Sequence, residues 1–245
     1  MHPPRTERAF TLLEVLVVVA ILGILASLLL PTLARSRDSA RTAVCTSQLR
    51  QFGLAAQMYW DDQDGCAFRY RGPATNGGDL YWFGWIERGA EGSRRFDPAQ
   101  GALWRYLPEA RIQTCPSLPA QGRRLKPKAA TAAGGYGYNL TLSAPLDRPL
   151  FRISSATRPT ELAVFADSAQ INTFQAPASP ENPMVEPFFY VSTNEATAHF
   201  RHAAAAAVVF VDGHVAREQP EPDSLDPRLP DARIARLRTR ILVLP

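Results

Sequence analysis

Residues 8–31 read "RAFTLLEVLVVVAILGILASLLLP" and form the most apolar stretch of the chain. From Val15 to Leu30 there are 16 residues without a charge, interrupted only by Gly23 and Ser27. With Phe10–Glu14 included, the span is 21 residues, about 30 Å long as an α-helix. That length matches the hydrocarbon core of a bilayer, so the stretch predicts a membrane-spanning helix.

Two other interpretations of this stretch are weaker. A secretory signal peptide has a shorter apolar run and a small-x-small cleavage site, and "LLLPTLARSRDSAR" contains no clear site of that kind. A buried core helix would rarely be apolar on every face. Basic residues flank the span on both sides, so they do not orient it, but a long domain that follows a span is translocated largely regardless of charge. We therefore expect a cytoplasmic N-terminus and an extracytoplasmic body.

Glu14 is the exception inside this apolar stretch. A carboxylate in lipid is costly and indicates a functional role with a specific partner. The residues that follow Glu14 are apolar, and Arg8 lies six positions upstream. A partner from another chain, or a charge created by processing, fits better.

The stretch "RAFTLLEVLVVVAILGILASLLLPTLARSRDSAR" resembles the N-terminus of type IV prepilins and type II secretion pseudopilins. The resemblance rests on a short basic leader that ends in a small residue before Phe10, on Glu14 four positions later, and on Pro31 near the end of the apolar run. It implies an α+β, pilin-like fold, in which a long N-terminal helix, partly transmembrane, packs on an antiparallel β-sheet body.

The resemblance also implies the roles of individual residues. A prepilin peptidase would cut between Ala9 and Phe10, releasing leader 1–9, and would methylate the new amine. The cationic amine of Phe10 would then pair with Glu14 of a neighbouring subunit, where the low dielectric strengthens the attraction. The family usually has Gly where this chain has Ala9. Pro31 would sit at the helix kink.

The helical pattern continues beyond the membrane. Apolar residues recur at spacings of four, three, four and three up to Tyr59, which indicates one buried helix face. Asp64 and Gly65 follow as a turn signal. The predicted helix covers about 10–60, with a transmembrane part (10–30), an extramembrane part (31–60) and a bend near Pro31. The stripe consists of Cys45, Leu49, Phe52, Ala56 and Tyr59.

Residues 61–218 are predicted to form a β-rich globular body. The chain contains 21 prolines, and "DLYWFGWIE", "GGYGYN" and "ELAVFAD" are strand-like segments between turns. The "DDQDG" at 61–65 is acidic but lacks the distal Glu of a helix-loop-helix calcium site. We expect no metal and no cofactor.

The three cysteines are too few for a disulfide framework, and the absence of CxxC argues against structural zinc. Cys45 lies in the helical pattern and is expected to be buried and reduced. Cys66 and Cys115 lie in turn-rich sequence. They form one disulfide in an oxidising compartment, or remain two unpaired thiols.

Residues 199–218, "HFRHAAAAAVVFVDGHVARE", contain two strand-like runs joined by Asp212 and Gly213. That dipeptide favours a type I′ hairpin turn. His202 stands ten positions before Asp212, and this H-X9-DG pattern resembles the processing-associated signature of a subgroup of prepilin-like proteins. The expected role of His202 is a hydrogen bond to a loop. A metal-dependent enzyme using His199, His202 and Asp212 is a weaker hypothesis.

Residues 219–245 are predicted to be a Pro/Asp-rich linker followed by a basic amphipathic tail. Ile234, Leu237, Ile241 and Leu244 recur at helical spacing, with arginines between them. The tail is either a helix on a membrane surface or a last strand with period two.

The predicted function is structural and not enzymatic: a prepilin-like or pseudopilin subunit of a type II secretion or type IV pilus-like system. The partners are then prepilin peptidase, the bacterial inner membrane and other pilin-like subunits. The alternative is a membrane-tethered extracytoplasmic module that binds DNA or a ligand without polymerising. The net charge of +4 and pI near 9.2 permit nucleic-acid binding, but a solvated basic surface is the favoured explanation.

Overall fold

The computed structural model describes residues 12–90, 93–107, 114–118, 125–129 and 134–244. Within them, one long helix, α1 (Leu12–Asp62), precedes a body of short strands. The chain divides into two compact units, one up to Ala40 and one from Arg41 onward. The predicted α+β, pilin-like class is confirmed, and α1 includes Pro31 without ending there. The predicted bend at Pro31 stays a prediction.

The body contains two larger sheets and two small ones. The first sheet is antiparallel, in the order β1-β2-β3-β4. The second has the order β12-β11-β6-β5-β9 and is antiparallel except for the parallel β5–β9 pair. The small sheets pair β7 with β8 and β10 with β13. The strands are β1 (Arg71–Thr75), β2 (Gly78–Tyr81), β3 (Gly84–Glu87), β4 (Phe96–Asp97), β5 (Tyr136–Asn139), β6 (Ala163–Asp167), β7 (Ala169–Asn172), β8 (Met184–Pro187), β9 (Tyr190–Val191), β10 (Ala198–His199), β11 (Ala206–Phe210), β12 (Val215–Glu218) and β13 (Ile234–Ala235).

The C-terminal part of α1, from Cys45 onward, packs on the body through the face that the periodicity predicted. Cys45, Leu49, Phe52 and Ala56 are buried, and Tyr59 is partly buried against the same core. The Phe52 ring lies 5.6 Å from Phe165 of β6, centroid to centroid. Burying an aromatic side chain at such a position typically stabilises a fold by about 3–5 kcal/mol relative to Ala.

The helix ends where the turn signal predicted. Asp64 has a φ of 51° and Gly65 a φ of 75°, and the Gly65 amide donates to the Trp60 carbonyl at 2.7 Å. This six-to-one hydrogen bond after a left-handed residue satisfies a carbonyl that the helix end leaves open. Asp62 accepts a hydrogen bond from the Tyr106 hydroxyl at 2.9 Å.

Of the two alternatives predicted for the C-terminal tail, the structure shows a last strand and not an amphipathic surface helix. Ile234 and Ala235 form β13, which pairs with β10. Leu237, Ile241 and Leu242 are buried in the body. A short 3-10 turn at Thr239–Ile241 follows the strand. The Leu242 carbonyl accepts from the buried Asn139 amide at 3.0 Å, which fixes the segment to β5.

Candidate functional site

The first candidate site is the apolar surface of the N-terminal part of α1. The helix is long and apolar enough to cross a membrane, and no residue of its most apolar 18-residue stretch is buried by the rest of the chain. From Val15 to Ala34 there are 20 residues without a charge, about 30 Å of helix. Water is a poor solvent for such a surface, so lipid or another apolar helix is its natural environment.

The side-chain hydroxyls of Ser27 and Thr32 within this segment form local hydrogen bonds. The Ser27 hydroxyl donates to the Ile24 carbonyl at 2.7 Å, and the Thr32 hydroxyl donates to the Leu29 carbonyl at 2.7 Å. Local bonds of this kind make hydroxyls tolerable in lipid. Pro31 carries no N–H, so the Ser27 carbonyl four positions earlier lacks its usual helical donor.

Glu14 lies in the first turn of the described helix and is exposed. The predicted cleavage residues Ala9 and Phe10 lie outside the described residues. Glu14 is therefore the described member of the predicted processing and assembly set, and its roles are taken up as a proposal below.

The second candidate site is a buried polar cluster at the junction of α1 with the body. A disulfide joins Cys45 of α1 to Cys115, with their Cα atoms 5.2 Å apart, and both residues are fully buried. The predicted Cys66–Cys115 pair is wrong, and so is the expectation that Cys45 is reduced. Cys66 is a free thiol just beyond the end of α1. The segment that carries Cys115 covers the helix face on which Cys45 lies, so the two sulfurs meet there.

His202 lies beside this disulfide, with only 2% of its surface exposed. Its Nε2 atom is 3.7 Å from Cys115 Sγ and 3.2 Å from Oδ2 of Asp167. Its Nδ1 atom is 3.1 Å from Oγ1 of Thr42 on α1. The imidazole thus connects the helix, the segment at Cys115 and the end of β6.

Asp167 is held from several sides. Its Oδ1 accepts from Arg201 Nη2 at 2.6 Å, and its Oδ2 accepts from the Ala207 amide at 2.8 Å. The side chains of Asp167 and Arg201 are fully buried. Such a pair is retained when hydrogen bonds offset its desolvation, and removing one partner is strongly destabilising. Arg201 also donates to the Gly135 carbonyl beside β5.

The turn that presents His202 is conformationally strained. His202 and Ala205 exchange two backbone hydrogen bonds, at 3.0 and 3.1 Å. The two residues between them, Ala203 and Ala204, have φ values of 49° and 60°. Positive φ at both central positions defines the I′ family of two-residue hairpin turns. Each such φ costs an alanine about 1–2 kcal/mol, so the surrounding contacts determine this turn.

The predicted hairpin at Asp212 and Gly213 is confirmed, but its turn type is not I′. Only Gly213 has a positive φ, of 89°, and its amide donates to the Phe210 carbonyl at 2.9 Å. The Phe210 amide in turn donates to the His214 carbonyl at 3.0 Å. The loop therefore has three residues, with glycine in the left-handed position that such loops favour. A Cβ at Gly213 would lie 2.9 Å from Gln57 Nε2 of α1.

The residues of the proposed metal enzyme are not brought together. Asp212 lies in the partly exposed turn, where its Oδ1 is 2.6 Å from His214 Nδ1. His199 and His202 are buried. Among the described residues, the one group of His, Cys, Asp and Glu with converging ligand atoms is Cys45, Cys115 and His202. The acids of "DDQDG" form no such group within the described part of the chain.

Sequence reasoning missed the residues that surround His202. Asp167 ends a strand that was predicted from its apolar run, and Arg201 directly precedes His202. A charged residue at the end of a fully buried strand was the available signal, because buried charges require partners. Nothing local to Thr42 or Cys45 indicates which segment covers their helix face.

The tyrosines of the body provide a second set of buried polar groups. Burial raises the pKa of Tyr136 and of Tyr138 above the ordinary value of 10.0. The Tyr136 hydroxyl donates to Gln48 of α1, and the Tyr138 hydroxyl donates to the Phe68 carbonyl at 3.1 Å. Both phenols are therefore neutral donors that fix the helix and its following loop to β5.

Comparisons with known proteins concern the N-terminal part of the chain. The family model of the prokaryotic N-terminal methylation motif matches residues 4–30. The type II secretion system core protein G of Pseudomonas aeruginosa is 40% identical over 55 residues, which are 22% of this chain and 39% of that protein. The type IV wide pilus major component PilA4 of Thermus thermophilus is 38% identical over 60 residues, 24% of this chain and 46% of that protein.

The matches span less than half the length of these relatives. No solved structure matches the chain. The matched motif confirms the predicted prepilin-like N-terminus and spans Phe10 and Glu14, whereas Pro31 lies just beyond it. It ends before His202, so the H-X9-DG pattern remains a resemblance.

Proposed function

We propose that this chain is a prepilin-like or pseudopilin subunit that assembles through α1 with other pilin-like subunits in a type II secretion or type IV pilus-like system. The proposal rests on the long, exposed apolar part of α1 at its N-terminal end, which has one carboxylate, Glu14, in its first described turn. The match of the methylation motif to residues 4–30 supports the same function.

In this proposal, prepilin peptidase cuts between Ala9 and Phe10 and methylates the new amine. The amine supplies a positive charge at the start of the helix. Glu14 of an adjacent subunit pairs with it, which offsets the cost of both charges in a low-dielectric surrounding. Because the pair forms only at one relative height of two helices, it sets the axial register of the subunits.

The proposed location is the bacterial inner membrane, with a single span, a cytoplasmic N-terminus and an extracytoplasmic body. The Cys45–Cys115 disulfide supports the placement of the body, since disulfides persist in oxidising compartments. The disulfide and the His202 cluster join the extramembrane part of α1 to the body. Their role in the proposal is to keep the helix attached while it is pulled from the membrane during assembly.

Incorporation of Glu14 variants tests this function. Glu14→Ala and Glu14→Gln chains, co-expressed with the assembly machinery, should be processed and anchored but recovered in sheared or cross-linked assemblies at a small fraction of the wild-type amount. Ser27→Ala is the matched control, because it also removes a polar group from the exposed span while keeping its charge unchanged. Glu14→Ala chains that assemble as well as the control would favour the tethered binding module.

A further inference from the structure

The buried group formed by Cys45, Cys115 and His202 has a second chemical role available to it besides the disulfide. We propose that, when the disulfide is reduced, these three residues bind one zinc-like divalent metal ion. The metal then replaces the disulfide as the link between α1 and the body. This inference is independent of the proposed function in secretion or pilus assembly.

The donor set is the first support for the site. Two thiolates and one imidazole nitrogen are ligands that zinc prefers, and three protein ligands leave one of its four usual positions open. The Sγ atoms of Cys45 and Cys115 and a ring nitrogen of His202 all lie within 4.8 Å of one another. Asp167 Oδ2, which accepts from the Ala207 amide at 2.8 Å, lies 3.2 Å from the same imidazole's Nε2 and borders the group without belonging to it.

The orientation of His202 is the second support. A metal-binding histidine generally uses one ring nitrogen as the ligand and engages the other in a hydrogen bond that fixes the ring. Here Nδ1 faces Thr42 Oγ1 at 3.1 Å, while Nε2 faces Cys115 Sγ and Asp167. Metal binding requires the tautomer with the hydrogen on Nδ1, which then donates to Thr42 and leaves the Nε2 lone pair for the ion.

The charge balance is the third support. A divalent ion with two thiolates carries no net charge, and the neighbouring Asp167 is separately paired with Arg201 at 2.6 Å, both side chains being fully buried. The complete group is then neutral, which a buried site requires. The two cysteines are fully buried, so a bound ion would be shielded from chelation by solvent ligands.

The disulfide is exchanged for the metal ion in two steps. A phosphine reductant and one water convert the disulfide into two thiols and a phosphine oxide, transferring two electrons. Binding of the metal ion then releases the two thiol protons to solvent. The Cys45 and Cys115 Cα atoms, 5.2 Å apart, leave both sulfurs free to rotate about their Cα–Cβ bonds once the bond is broken.

The test uses the full-length chain in detergent with Cys66→Ser, which removes the free thiol outside the group. The reduced, phosphine-free chain is titrated anaerobically with cobalt(II) and then with zinc(II). We expect one equivalent of cobalt, with thiolate-to-cobalt charge-transfer absorption that zinc abolishes, and no such absorption from the oxidised chain. A reduced chain that gives no cobalt–thiolate absorption would overturn the proposal.

Two variants identify the ligands. His202→Ala should reduce the affinity for zinc at least tenfold, and Thr42→Val should reduce it by about 10–100-fold, as loss of an orienting hydrogen bond does. Thr46→Val, on the same helix, is the control and should change nothing. If His202→Ala does not fold, the comparison of Thr42→Val with Thr46→Val decides. Equal zinc affinity in these two variants would overturn the assignment of His202 as a ligand.

Discussion

Gly53 of α1 and Val209 of β11 are in direct contact because Gly53 has no side chain. A Cβ atom at Gly53 would lie 2.7 Å from Cγ2 of Val209, closer than two carbon atoms can approach without displacement. This absent methyl group sets the distance between the helix and the five-stranded sheet. The glycine is thus explained by packing, although it lies in a helix interior where glycine costs about 1 kcal/mol relative to alanine.

We predict that Gly53→Ala lowers the free energy of unfolding of the body by about 1–3 kcal/mol, because overpacking forces the helix away from the sheet. Denaturant unfolding followed by tryptophan fluorescence measures it. Gly23→Ala is the matched control, since a Cβ there meets nothing within 4 Å. Equal stability of the two variants would contradict the contact between Gly53 and Val209.

Loss of the Cys45–Cys115 bond should also destabilise the body. The bond closes a sequence separation of 70 residues, for which chain entropy gives about 4 kcal/mol. Urea unfolding of the Cys66→Ser chain, with and without reductant in the presence of a chelator, should show this loss.

A proteolytic digest without reductant should contain the Cys45–Cys115 peptide pair. A cross-linked peptide containing Cys66 in the wild-type chain would contradict the observed pairing.

The strained turn at Ala203 and Ala204 predicts a stabilising substitution. Ala204→Gly should raise the free energy of unfolding by about 0.5–1 kcal/mol, because relief of the positive φ exceeds the entropy that glycine adds to the unfolded chain. Ala43→Gly, at an exposed position of α1, should instead lower stability by about 1 kcal/mol. A loss of stability in both variants would show that the turn is not left-handed at position 204.

The tyrosines predict the alkaline limit of the fold. The pKa of each of the seven tyrosines lies above the ordinary value of 10.0, for Tyr136 and Tyr138 because burial disfavours the phenolate. A raised pKa contributes stability that is present below pH 10 and is lost as the pH rises through the folded value. Tyrosinate absorbance and circular dichroism should therefore change together above pH 10. Tyrosines ionising at their ordinary pKa in a fully folded chain would contradict this burial.

The N-terminal helix and its packed face follow directly from the sequence. The helix requires an apolar run and a period of 3.6 residues, and Leu49, Phe52 and Ala56 obey that period. The buried strand at Ala163–Asp167 likewise follows from its apolar run and flanking turn residues. These are local patterns, in which each residue's neighbours along the chain carry the information.

The disulfide and the His202 cluster could not be derived in this way. Cys45 and Cys115 are 70 positions apart, and His202 meets Thr42 across 160 positions. Which segment covers the Cys45 face depends on the order of the strands, and that order is not encoded in local periodicity. The turn at Ala203–Ala204 was missed for the opposite reason, since alanine is a poor signal for positive φ and tertiary contacts impose it.

The N-terminal residue of the chain extracted from membranes tests the central claim most directly. Expressed with a prepilin peptidase, the protein should have an intact mass and an N-terminal sequence that begin at methylated Phe10. Ala9→Gly provides the comparison, since it restores the residue that the family usually has before the cut. Wild-type and Ala9→Gly chains that both still begin at Met1 would contradict the account of a processed, assembling subunit.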